Sequence, residues 1–517
     1  MKKILIAFFL VLTLTGMLFA AGQGETKAEG STAPALKVWA VKAAEVPVNL
    51  ETVPNWKEVE KATGVKLSWD LISTQVKEQK FNLLMASGEL PDIVAYYEGK
   101  GGHSSINRFG EEGAFIPLED LIRKYAPNLK KTLLENQEIK DMITAQDGHI
   151  YFVPMLAAIK AARGWYIRYD WLDKLGLKIP KTTDELYKVL VAFRDRDPNG
   201  NGKKDEIPLV FRRRGDDAFY NIQAFAYAFD ADMAWVLRGN KVHFGPAEPQ
   251  YKDYLAYINK LYSAKLIDQE VFTRPGNPRN ELFGKNLAGC IHDWFASTAS
   301  LNDTLKGKIP GFNLRHMAPP VGTAKKAYTR IQMSRVRKDG GWAITFSDKN
   351  PVETIKMMDF IYSKKGIILT NFGVEGRDYT MVNGEPVYTD LIKHNPNGLG
   401  FHESLVSEGC QWKIGMVQDI NYEKQFANKI AFAARKDYQD NYIIDAFPML
   451  SFTEDETNVL KDKYSQIRSY VLENTAKFMV GARPLADFDK FVKELNDMGL
   501  KDVTAIYQKA YERKFKK

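Results

Sequence analysis

Three consecutive pieces, ALKVWAVK (35–42), NWKEVEKATG (55–64) and VKLSWDLI (65–72), decide the fold class. Apolar side chains fall at every second place in the first and third and at helical spacing in the second, which reads as strand, helix, strand. The pattern continues with VKEQKFNLLMASG (76–88), a helix closed by Gly88 where a left-handed residue is needed, and DIVAYY (92–97), a third strand. Strands alternating with helices predict an α/β protein with parallel sheets and right-handed crossovers. Loops at the carboxyl ends of such strands, including Tyr96, Tyr97 and Glu98, are where an α/β sheet meets its ligand.

Further along, GWYIRYDWLDKLG (164–176) reads as a strand entering a short helix. TTDELYKVLVAF (182–193) opens with a capping box from Thr182 to Glu185 and sets Leu186, Val189, Leu190 and Phe193 on one helical face. The α/β alternation resumes at GGWAITF (340–346), and the helix of NPVETIKMMDFIYSKKG (350–366) is expected to start at Asn350 and Pro351 and end at Gly366. The last 65 residues are helical in pattern, broken at Pro484 and near Gly499.

The amino-terminal segment sets the compartment. Lys2 and Lys3 precede an uncharged apolar run from Ile4 to Phe19, followed by small and polar residues, AAGQGETKAEGST (20–32). Sixteen apolar residues fall short of the roughly 20 that span a bilayer, so 1–21 is expected to be a cleaved export signal and 22–35 a linker. Gln23 stands where a lipid-bearing cysteine would fall, so the exported protein, periplasmic or at the cell surface, is expected to carry no lipid. Net charge is +8, two of it from Lys2 and Lys3, and both signs are dispersed, which is too mild for a nucleic-acid partner. Cys290 and Cys410 are either two buried thiols or one bridge; spacing leaves both open.

DRDPNGNGKKDEIP (195–208) alternates carboxylates and amides around glycines, as a calcium loop does: the ion takes six to eight oxygens, and alternate side chains of a tight curl converge on one centre. One register starts at Asp195, the other at Asp197. The second is preferred because it gathers Asp197, Asn199, Asn201, the Lys203 carbonyl, Asp205 and Glu206, with Gly202 in sixth place. A structural calcium ion remote from any ligand is the expectation, and an ion-free turn is the alternative. There is no GxSxG, HExxH, P-loop or GxGxxG following a strand. A secreted polysaccharide hydrolase remains the rival class, since paired carboxylates are a spatial feature.

Several blocks together resemble the family 1 extracellular solute-binding proteins, the sugar and oligosaccharide receptors of ABC importers: ASGELPDIV (86–94), YIRYDWLDKLGLKIPKTTDEL (166–186), NFGVEGRDYTMVNGEPVYT (371–389) and FMVGARPLADFDKFVKELNDMGL (478–500). DPNGNGKKDEIP (197–208) resembles the calcium loop of the alginate-receptor-like members. The resemblance implies a two-lobed, periplasmic-binding-protein-like fold, each lobe a mainly parallel sheet flanked by helices, with a helical carboxyl-terminal region. It implies a monomer without catalytic activity that delivers an oligosaccharide to an ABC permease. Residues 36–160 with 331–400 are expected to form one lobe, and 161–330 with 401–517 the other.

A cleft for sugar needs flat aromatics for the apolar ring faces and polar groups for the hydroxyl rim. By the resemblance, Trp294 in CIHDWFAS (290–297) and Trp412 in EGCQWKIG (408–415) are expected as stacking residues, with Glu408 beside the latter. Tyr97, Trp165 and Arg168 are weaker candidates, while Trp39, Trp69 and Trp342 lie in strand patterns and read as core. Arg330, Arg335 and Arg337 form a cluster suited to a uronate carboxylate, which makes an acidic sugar a further expectation; the run Arg212–Arg214 reads as an exposed loop. A receptor for peptides or another non-sugar solute is the remaining alternative.

Overall fold

Alternating and continuous apolar runs become strands, in chain order β1 (Ala35–Val41), β2 (Lys66–Ile72), β3 (Ile93–Ala95), β4 (Val153–Leu156), β5 (Arg163–Arg168), β6 (Ile207–Val210), β7 (Trp235–Arg238), β8 (Lys241–Phe244), β9 (Ala288–Trp294), β10 (Leu314–Met317), β11 (Thr329–Arg330), β12 (Val336–Ile344), β13 (Tyr379–Val382), β14 (Glu385–Tyr388) and β15 (Ile443–Ile444). The structure is a computed structural model that describes residues 35–95, 104–212, 219–274, 278–330, 334–426, 428–448, 450 and 452–515. Tyr97, Arg213, Arg214 and the segment 1–34 lie outside the described residues.

Two sheets organise the chain. The first has the order β2-β1-β3-β12-β4, with β1, β2 and β3 parallel and β12 antiparallel to β3 and β4. The second has the order β10-β5-β9-β6, in which β5 runs antiparallel to both neighbours and β6 parallel to β9. The sheets are thus more mixed than strand–helix alternation alone predicts. The reversed strands, β12 and β5, are those the chain enters on arriving from the other sheet.

Helices behave largely as their sequences dictate. Thr182 Oγ1 accepts from Glu185 N at 3.1 Å and the Glu185 carboxylate accepts from Thr182 N at 3.2 Å, the capping box that starts helix Thr183–Asp195; such a cap stabilises by about 1 kcal/mol. Gly88, at φ +69°, ends helix Lys77–Ser87. Gly366 does not end its helix, a correction to the sequence reading. Helix Pro351–Ile361 stops five residues earlier, and Ser363 caps a new helix, Lys364–Phe372, by accepting from Gly366 N at 3.1 Å. Glycine is required there because a Cβ would lie 2.0 Å from Phe360 O.

Each sheet carries its own core. The first includes Trp39, Trp56, Trp342 and Trp412, with Trp69 packed 4.9 Å from Trp56 and 6.3 Å from Trp412, so the expectation of core tryptophans at 39, 69 and 342 agrees with their packing. The second core gathers Trp165, Trp171, Phe225 and Tyr254 and is covered by the carboxyl-terminal helices through Val471, Phe478, Phe491 and Val503. Cys290 and Cys410 are separate buried thiols, the former in the second core and the latter in a small cluster with Phe372 and Tyr388.

Three segments cross between the sheets: 157–162, 318–335 and the stretch after Val417. They meet at the end of β4, where Leu156 N donates to Met416 O (2.7 Å), Gln418 N to Leu156 O (2.8 Å) and Ala157 N to Arg335 O (2.9 Å). This placement corrects the expected lobe boundary. Residues 401–417 contribute Val406, Trp412, Ile414 and Met416 to the first core, because the bridge from Leu156 to Val417 holds them along β4.

Candidate functional site

The crossing segments determine which sheet ends face each other. Segment 157–162 leaves the carboxyl end of β4 and enters the amino end of β5, so the carboxyl ends of β1–β4 adjoin the end of the second sheet built from the start of β5 and the finish of β6 and β9. This is where an α/β fold presents ligands.

On that end, the β5–β9 register pairs Arg163 with Trp294, Gly164 with Asp293, and Trp165 with His292. Directly opposed residues share a face. Trp294 is partly buried, and the Arg163 guanidinium carbon lies 5.8 Å from its ring centroid. Only glycine fits opposite Asp293, since a Cβ at Gly164 would lie 2.6 Å from the rings of Phe295 and Tyr438.

Asp293 is fully buried between two guanidiniums. Arg279 Nη1 donates to Oδ2 at 3.1 Å, and Arg212 Nη2 lies 3.2 Å from Oδ1 without hydrogen-bond alignment, a contact between charges. Burial raises the Asp293 carboxyl above its usual range, with Arg212 and Arg279 acting against it. Arg279 also donates to Ser297 Oγ at 2.6 Å and to Asn280 Oδ1 at 3.0 Å. Beside this trio, the His292 ring packs 5.1 Å from Trp165, and its Nδ1 is 3.3 Å from Asn221 Oδ1. Burial, with the Arg163 charge adding to it, drives the His292 imidazole well below its ordinary value, so the ring is neutral. Tyr227 and Tyr328 lie 5.7 Å apart, and Tyr328 Oη donates to Asp230 Oδ1 at 2.9 Å.

Of the candidate residues, Trp294 is the one the structure brings to this end with part of its ring exposed. Trp165 is 1% exposed, wedged 4.5 Å from Phe225, and its backbone N donates to Tyr438 Oη at 2.9 Å. Arg168, also 1% exposed, is held by Asp170 and Asn286 between the rings of Trp171 and Phe312, a structural cation. Trp412 is 1% exposed in the first core, its indole N donating to Val406 O at 3.2 Å, and Glu408 pairs with Arg377 at 2.5 Å. Arg330 donates to Asp232 (2.6 Å) and to Asp445 O (3.0 Å), while the Arg335 guanidinium bonds to Ala157 O at the crossing, so neither belongs to a free cationic cluster. Arg163, Asn221, Tyr227 and Tyr328 were not singled out in the sequence; Arg163 is identified only by its register with Trp294.

The loop after helix Thr183–Asp195 curls around one carboxylate. Asp197, at φ +46°, accepts from Gly200 N (2.9 Å), Asn201 N (3.0 Å) and Gly202 N (3.0 Å), while Asp195 turns away to pair with Arg194. Asp205 accepts from the side-chain amides of Asn199 (3.1 Å) and Asn201 (3.0 Å), and Lys203 N donates to Asn201 Oδ1 at 2.7 Å. Glu206 is 7% exposed, and its Oε2 has no hydrogen-bond partner. Burial first, and then the charges of Asp197 and Asp205, raise its carboxyl. An orphaned buried carboxylate oxygen beside two more carboxylates suits a cation, although the groups are not drawn into a formed metal cluster among the described residues.

Two α/β lobes joined by three crossing segments, with an aromatic and cationic strand end at the junction, define a bacterial solute-binding protein. The model of the bacterial extracellular solute-binding protein family matches residues 40–368, and the chain belongs to that family. It is 30% identical to the fructooligosaccharide ABC transporter substrate-binding protein FusA of Streptococcus pneumoniae serotype 4, over 99% of this chain and 97% of the relative. FusA structures with kestose, and of an EF-hand mutant with fructo-nystose, superpose with TM-scores of 0.67 and 0.66 at 26% identity, covering 93% of this chain and 99% of theirs. The alginate-binding protein AlgQ2 without calcium ion superposes with a TM-score of 0.68 at 33% identity, over 93% and 98% of the two chains. The polygalacturonan/rhamnogalacturonan-binding protein YtcQ of Bacillus subtilis is 26% identical over 98% of this chain and 97% of its own.

Proposed function

We propose that this chain is the exported binding subunit of an ABC importer, which holds an oligosaccharide between its two lobes and passes it uncut to a membrane permease. The observation that carries the reading is the partly buried Trp294 at the junction end of β9, with the Arg163 guanidinium carbon 5.8 Å from its ring centroid. The glycan ligands named for FusA, AlgQ2 and YtcQ support it. Binding energy drives closure: a ligand that touches both lobes favours the closed form by its differential affinity alone. Lobes comprising 36–156 with 336–417, and 163–317 with 429–515, fit the two cores. No helix of the described residues is long and apolar enough to cross a membrane. Gln23 in place of a cysteine supports an unlipidated product, which an intact mass of the native protein tests.

Calcium belongs to the same proposal as a structural ion. The register starting at Asp197 would hold it through Asp197, Asn199, Asn201, the Lys203 carbonyl, Asp205 and Glu206. It is supported by the curl of three loop amides onto the Asp197 carboxylate and by the turning away of Asp195. Bound there, the ion would neutralise the crowded carboxylates and satisfy Glu206. Incubating the protein with a glycan panel tests the functional reading: a receptor is stabilised by at least one glycan and returns it at unchanged mass, whereas a hydrolase releases shorter products.

A further inference from the structure

The third crossing passes from one lobe to the other over a short step. Up to Phe426 it is tied to the first lobe. Asp419 N donates to Asn371 Oδ1 (2.9 Å), Tyr388 N to Gln425 Oε1 (2.9 Å) and Gln425 Nε2 to Pro386 O (2.8 Å), and Tyr422 packs in the cluster of Phe372, Tyr388 and Cys410. From Asn428 it is tied to the second. Asn428 caps helix Lys429–Asn441 by accepting from Ala431 N at 2.9 Å and donates to Asp303 at 3.1 Å, while Ala434 and Tyr438 pack with Phe295 and Leu314. Helices Ile420–Phe426 and Lys429–Asn441 therefore stand on opposite sides of the hinge.

A buried ion pair bridges that step. Arg435 Nη1, from the second lobe, donates to Glu423 Oε2, from the first, and the two side chains are 8% and 9% exposed. Such a pair adds little to stability, because withdrawing both charges from water offsets their attraction. Arg435 Nε worsens the balance, being buried without a hydrogen-bond partner. What the pair supplies is a geometric preference. A lobe movement that parts the two helices breaks a charge-assisted bond and strands each charge until water reaches it, so arrangements near the present one are favoured.

We propose that Glu423 and Arg435 form an interlobe latch, a pair that holds the lobes in the arrangement described here and thereby sets how readily the cleft opens and closes. The pair is too buried to meet a ligand, so it acts through the lobe equilibrium alone. Apparent affinity scales with the fraction of molecules in the binding-competent arrangement, which makes the two residues positioning residues for binding. Their action does not depend on which sugar is bound, so the receptor reading stands or falls separately, by the glycan panel.

Pulsed electron–electron resonance on the ligand-free protein reads the lobe arrangement directly, with spin labels at Lys61→Cys and Lys493→Cys, exposed positions on helices Pro54–Thr63 and Phe488–Asp497 of the two lobes. Cys290 and Cys410 are fully buried and are expected to escape labelling. The double variant Glu423→Leu/Arg435→Met replaces the pair by apolar side chains and strands no charge. It should melt within a few degrees of wild type while its interlobe distance distribution widens about twofold or moves its maximum. A control pair inside the second lobe, Asp268→Leu with Arg274→Met, should leave the wild-type distribution in place. An unchanged distribution in the folded double variant, or equal widening in the control, would overturn the latch. So would a collapsed melting temperature in the double variant, which would make the pair a prop of the fold.

Discussion

Arg163 and Trp294 are cross-strand partners, the first residue of β5 set against the last of β9, with the guanidinium carbon 5.8 Å from the indole centroid. The tryptophan thus lies at a sheet end against a cation and only partly buried, so on the proposed function its substitution should affect binding more than folding. Trp294→Ala should lose about 2 kcal/mol of binding, roughly 30-fold in affinity, and keep its ligand-free melting temperature. Calorimetric titration beside thermal melts measures both. A collapsed melting temperature with intact affinity would return Trp294 to the core.

The neighbouring position should behave in the opposite way. Gly164→Val places a side chain into the rings of Phe295 and Tyr438, where even a Cβ finds only 2.6 Å. The expected cost is at least the 1–3 kcal/mol typical of overpacking, roughly, seen as an earlier denaturant midpoint without ligand. An unchanged midpoint would mean that β5 and β9 do not pair closely there.

His292 gives the lobe a pH dependence of definite sign. The buried ring stays neutral in the folded protein, while the unfolded chain takes up a proton below its ordinary value of about 6.5. Between the depressed folded value and that point the unfolded state binds more protons, so the stability contributed is complete above about pH 6.5 and is lost as the pH falls. His292→Gln should flatten the melting curve between roughly pH 7 and 5 relative to wild type. Parallel slopes for the two proteins would show that the ring ionises in place.

Much of the scaffold could be read from local pattern, because strand alternation, the Thr182 box and the Gly88 terminus are decided by neighbours in sequence. The site was less accessible. Trp294 ends β9 directly before helix Phe295–Leu305 and stays partly buried, whereas Trp412, also beside polar residues in sequence, is covered by Trp69, 343 residues earlier, while Glu408 and Gln411 turn to Arg377 and Asn371. Arg163 had no signal of its own, since its role depends on the register of two strands separated by more than a hundred residues. The boundary near residue 400 failed for the same reason: the bridge from Leu156 to Val417 is a long-range contact.

If the loop around Asp197 holds calcium as proposed, it should answer to chelation in stability and not in sugar affinity. An ion binding only the folded form stabilises by about 2.7 kcal/mol at 100 times its Kd, so a chelator should lower the melting temperature and Asp197→Ala should abolish that response. Glycan affinity of the folded variant should stay within a few-fold of wild type. Melting that ignores both chelator and substitution would make the loop an ordinary turn, held by the amides that already close on Asp197.

Native mass spectrometry of the exported protein, mixed with a library of acidic and neutral oligosaccharides and compared with Trp294→Ala, tests the central claim most directly. The account predicts a one-to-one complex with an intact glycan for the wild type, its loss in the variant, and no shorter products in the mixture. Wild type that retains no glycan, a variant that retains it equally, or cleaved oligosaccharides in solution would contradict it.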